Sequence, residues 1–195
     1  MDKRMISLAI VSLLVVPTAL WAGEGRGDGF RRQQKEKVFE HRKARKGENG
    51  EFRATLKGMK PEERKKAMAA HREAKYKEKT AFRQQMHSEK MAHLKEKLAN
   101  NKKLTEAQKT ELLDFYEKQY QEDVVYHQKQ HGENAAFFEK IAGDPHLTQE
   151  QRKEAIRGHF KAQREEYAKE KAEQRARGKA ERGKIRPETK EQDKT

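Results

Sequence analysis

The sequence predicts an all-α protein built from elongated antiparallel helical hairpins. Three observations carry this. Two short strings, LTEAQ at Leu104 to Gln108 and LTQEQ at Leu147 to Gln151, have the makeup of helix starts. The apolar residues that follow them recur at spacings of three and four, as one buried helix face requires. No stretch alternates apolar and polar residues well enough to make a strand.

Each string has a physical mechanism. Thr105 and Thr148 are placed to accept a hydrogen bond from an orphan backbone N–H in the first turn. Gln108 and Gln151, three residues on, can reach back to the N–H of the capping threonine. Leu104 and Leu147 precede the caps, where an apolar side chain packs onto the new helix. Glu106 and Glu150 put negative charge at the positive helix end.

In chain order, residues 1–22 read as an export signal. Lys3 and Arg4 precede an apolar run from Met5 to Val16, and Pro17 to Ala22 resembles a cleavage region. The run is short of the ~20 residues of a membrane-spanning helix. Residues 23–60 form a flexible basic segment: glycine-rich Gly23 to Gly29, then one charged helix from Phe30 to Lys46 anchored by Val38 and Phe39 and broken at Gly47 to Gly50.

The helical domain covers 61–168. Pro61 suits a first turn, and the helix it opens runs to about Asn100 with a partial stripe of Met68, Ala74, Phe82, Met86, Met91, Leu94 and Leu98. The next runs from Thr105 toward Ala142, with a break expected near Gly132. Gly143, Asp144 and Pro145 make a turn, and a last helix from Thr148 buries Ala155, Ile156 and Phe160, with Tyr167 a further candidate. Residues 169–195 are almost purely charged and polar, either a solvated helix or disordered, with Gly178, Gly183 and Pro187 disordering the end.

The chain carries 46 Lys and Arg against 32 Asp and Glu, a formal net charge of +14, and has no cysteine. Disulfides and thiolate metal sites are therefore excluded. So strong a basic balance favours acidic partners: anionic lipid, polysaccharide, or acidic stretches of unfolded proteins. Nucleic acid fits the charge but not an exported protein.

No phosphate loop, nucleophile elbow or HExxH is present, so an enzyme is not expected. His127 and His131, four apart on one helical face with Asp123 and Glu133 close by, form a candidate weak zinc site; the plainer reading is a polar face near a helix end.

Paired LTxxQ motifs in a small, helical, basic, exported chain resemble the Spy/CpxP family of periplasmic proteins. The resemblance covers roughly 81–167, and Met59 to Arg64 (MKPEER) reads as a degenerate motif lacking the Leu-Thr pair. It implies an ATP-independent chaperone or envelope-stress protection protein, as a homodimer, binding unfolded or acidic envelope proteins. Apolar contact is then expected from Met86, Met91, Phe115, Tyr116 and Tyr120, with Arg83, Lys90, Lys109 and Lys118 meeting client charge. One of Val124, Val125 and Tyr126 must also face away from the core. The alternatives are a zinc-responsive or sensor-binding envelope regulator, and a structural polyanion-binding envelope protein.

Overall fold

The computed structural model describes residues 29–185, all in four helices and their turns. The expected signal at 1–22, the stretch through Asp28 and the last ten residues lie outside the described residues. The helices are α1 (Gly29–Thr55), α2 (Pro61–Ala99), α3 (Glu106–Gly143) and α4 (Gln149–Ile185). At 1.5 Å per residue the longest, with 39 residues, extends about 58 Å. No helix among the described residues is long and apolar enough to cross a membrane.

Both predicted capping boxes are made. Thr105 Oγ1 accepts from Gln108 N at 3.2 Å, and Gln108 Oε1 accepts from Thr105 N at 2.9 Å. Thr148 and Gln151 repeat this at 3.2 and 2.8 Å. At α2 only half the device exists. Glu63 Oε2 accepts from Lys60 N at 3.3 Å, but a lysine side chain has no acceptor to return. Gly58, at φ +83°, supplies the left-handed residue of the turn before it.

Contacts between successive helices pair residues in opposite order. Phe30 stacks on His93, His41 on Phe82 and Phe52 on His71 across α1 and α2. His87 stacks on Tyr120 and Tyr76 on His131 across α2 and α3. Phe137 stacks on His159 across α3 and α4. Ring centroids in these six pairs lie 3.7 to 4.0 Å apart.

Among the described residues, only Met86, Leu98, Leu112, Ile141 and Ile185 are buried hydrophobic side chains. Leu98, Leu112 and Ile185 form a knot at one end, with Leu94, Leu104 and Leu113 against it. Gln108 closes this end, donating from Nε2 to the Ile185 carbonyl at 2.8 Å while its oxygen serves the cap.

Four expectations are corrected. α1 does not break at Gly47 to Gly50, because Glu48 pairs with Lys75 and Asn49 bonds His71 at 2.9 Å across the gap. These contacts override the cost of about 1 kcal/mol for each helical glycine. Phe39 is no anchor: it is 61% exposed, and Phe30, His41 and Phe52 hold α1 instead.

α3 passes Gly132 unbroken, since His131 and Asn134 on either side are tied to α2 and α4. The stretch from 169 to 185 is neither disordered nor a helix solvated all round. α4 continues through it, burying Lys171, Gln174 and Gly178. A Cβ on Gly178 would lie 2.9 Å from Gln119 Nε2 and 3.4 Å from Phe115, so the missing side chain lets α4 approach α3.

Candidate functional site

The outer side of α3 and α4 carries two adjoining shallow grooves of about 340 and 460 Å³ that share Lys118 and Glu122. Phe115 lies in the first, and Val125 and Tyr126 in the second. Val125 is 65% exposed, the most exposed large hydrophobic among the described residues. The rim mixes signs: Glu111, Asp114 and Glu181 with Lys118 and Arg177 at one end, Lys129 and Glu170 at the other. Arg177 bridges Glu122 at 3.3 Å and Glu170 at 3.5 Å. Burial, with Glu166 and Glu133 close by, pushes the Tyr126 hydroxyl up to about 12, so it stays protonated and accepts from Gln130 at 2.8 Å.

The structure divides the expected client-binding residues. Phe115 and Lys118 line the groove. Met86 does not face a client; it is buried, 6% exposed. Tyr120 is flat against His87, and Tyr116 stands edge-on to Phe115 at 5.3 Å, both half-buried. Met91 is half-buried. Lys109 is folded onto Glu106 at 2.7 Å. Arg83 and Lys90 are half-buried with Lys79 along one stripe of α2, rather than free at the surface. Burial lowers the pKa of both Arg83 and Lys90. Their spacing, with Met86 between them, marks the inward face, a signal present in the sequence but masked by their charge.

Val125 takes the exposed role that one of the three consecutive apolar residues had to fill, with Tyr126 half-buried beside it. The groove residues on α4, Glu170, Arg177 and Glu181, fall in the stretch that reads as a charged tail.

His127 and His131 are drawn to different neighbours. His131 stacks on Tyr76 and its Nε2 lies 2.8 Å from Glu73. His127 lies against Tyr167, ring centroids 6.0 Å apart. Burial, then Arg83, Lys79 and Lys171, pushes its pKa down to about 3, so its ring is neutral. A metal ion bound there would meet those three positive charges. No group of three or more His, Asp or Glu among the described residues is placed to hold a metal.

A polar network crosses from α3 to α4 one turn away. Lys171 Nζ donates to Asp123 Oδ1 at 2.5 Å and to Gln174 Oε1 at 2.7 Å. Gln174 Nε2 donates to the same Asp123 oxygen at 3.0 Å.

No protein-family model matches the chain, and no curated protein or solved structure matches it.

Proposed function

We propose that this is an ATP-independent chaperone of the bacterial envelope, holding unfolded or acidic clients by weak, reversible contact along the α3–α4 grooves. The carrying observation is the exposed Val125 beside Phe115 and Tyr126, set in a rim of both signs. An apolar floor catches exposed hydrophobic side chains, and a mixed rim with long basic arms tolerates many sequences. The paired LTxxQ motifs and the export-type N-terminus support the same reading through the resemblance to Spy/CpxP proteins.

The test is suppression of aggregation of a chemically unfolded client, without ATP, at moderate salt, with light scattering to give the size of the assembly. Phe115→Ser/Val125→Ser is expected to lose most of the suppression while keeping its helical circular dichroism. Unchanged suppression in that variant, or suppression seen only at low salt, sinks the groove assignment. A tight dimer in which the same variant dissociates assigns the grooves to a second copy of the chain instead.

A further inference from the structure

Halfway along the bundle, basic side chains from three helices meet at one level. The flanking contacts set the register. His41 faces Glu78 at 3.7 Å and stacks on Phe82, while Glu48 pairs with Lys75, so Arg45 between them sits opposite Lys79. Tyr76 stacks on His131 and His87 on Tyr120, which sets Lys79 and Arg83 opposite His127 and Asp123. Asp123 in turn bonds Lys171, and His127 lies against Tyr167.

Arg45, Lys79, Arg83 and Lys171 thus share this level with one carboxylate between α3 and α4, and that carboxylate is already taken by Lys171 and Gln174. The nearest others, Glu48 and Glu78, are held by Lys75.

Positive charge is left over. Among the described residues, neither Lys79 nor Arg83 makes a hydrogen bond or ion pair. The Nε atoms of Arg45 and Arg83 are closed off from solvent without a partner. Burial, reinforced by Arg83 and Arg45, holds the Lys79 amine down to about 7. A buried charge with no counter-charge is costly, and protein interiors normally supply one. Here the chain supplies only shared ones, Asp123 near Arg83 and Glu48 near Arg45, and neither carboxylate bonds those guanidiniums. As whole residues Lys79, Arg83 and Arg45 are half-buried rather than enclosed.

We propose that this level of the bundle binds a doubly charged tetrahedral oxyanion of the phosphate class, held by Lys79, Arg83 and Arg45. Guanidinium forks and an ammonium match the several oxygens of such an ion with charge-assisted hydrogen bonds. Two guanidiniums, with an amine that regains its proton beside an anion, also exceed what one carboxylate compensates. The site is separate from the α3–α4 grooves and does not depend on the chaperone reading.

The experiment is calorimetric titration of the full chain with inorganic phosphate against a sodium chloride blank of equal ionic strength, with thermal unfolding alongside. Saturable binding at low-millimolar phosphate, with a rise in Tm, is expected. Arg45→Gln should weaken it about tenfold, the worth of a charge-assisted hydrogen bond. Lys79→Gln/Arg83→Gln should abolish it while raising Tm in the absence of phosphate. Lys102→Gln/Lys103→Gln, exposed in the α2–α3 turn, should bind as the parent does.

Glycerol 3-phosphate run beside the free ion assigns the source: equal binding points to a phosphate carried on a larger molecule, lost binding to the free ion. No saturable heat, or equal loss in the Lys102/Lys103 variant, overturns the site. Equally tight binding of acetate overturns the phosphate assignment in favour of carboxylates.

Discussion

The start and the middle of one long helix teach different lessons. Where α3 begins, Leu112 is 1% exposed and packs with Leu98 and with Ile185, 2% exposed, in a small apolar knot. Some three turns further on, α3 presents Asp123 and His127 to Lys79, Arg83 and Lys171, and the interior is charged. The first region is stable because water is excluded. The second is held by hydrogen bonds and flat ring contacts, and carries charge at a cost. Stability concentrated at one end leaves the middle free to be shaped by binding.

The sharpest way to break this comparison is Leu112→Ala. It should lower stability to denaturant by about 2–5 kcal/mol, the cost of a cavity in a packed core. A loss below about 1 kcal/mol would mean that the knot is not the main anchor.

Next comes pH. His127 is held at about 3 in the folded chain against 6.5 when free, so between these values the unfolded state binds more protons. Stability should therefore rise with pH across that window, by up to about 1.4 kcal/mol per unit for one proton. The amine of Lys79, about 7 folded against 10.5, extends the same upward trend from 7 to 10.5. His127→Gln should flatten the lower window, and Lys79→Met the upper, in urea melts followed by circular dichroism.

Lys79→Met should also raise stability at neutral pH by about 1 kcal/mol, the low end for replacing buried charge by apolar volume. A net loss would show the middle to be better compensated than its contacts indicate.

The smallest effect separates the two capping boxes. Gln151→Ala removes one bond to its cap, while Gln108→Ala also frees the Ile185 carbonyl. The second should cost about 1 kcal/mol more than the first. Equal costs in thermal melts would remove Gln108 from the closure of that end.

What could be read from the sequence follows the same divide. The capping boxes were legible because every atom they need lies within five residues. The apolar face of early α3 was legible because Leu112, Tyr116 and Tyr120 recur four apart. The helix through Gly47 to Gly50 was not, because Glu48, Asn49 and Phe52 are held by partners on α2, 27, 22 and 19 residues away. The histidines fell to the same limit. His87, His93 and His159 have no spacing relative to one another because each is matched to an aromatic ring on a neighbouring helix. Lys171 and Gln174 looked like surface, since burial by hydrogen bonding leaves no hydrophobic period.

The bond from Gln108 to the Ile185 carbonyl joins residues 77 apart in sequence. A chain emerging from its N-terminus can form α1, α2 and the cap of α3 long before the partner of that amide exists. The apolar end therefore cannot close until the last turn of α4 arrives, however early the first three helices form. A protease that trims a few residues from the end of α4 would return the protein to that unfinished form, exposing the leucines while leaving most of every helix intact.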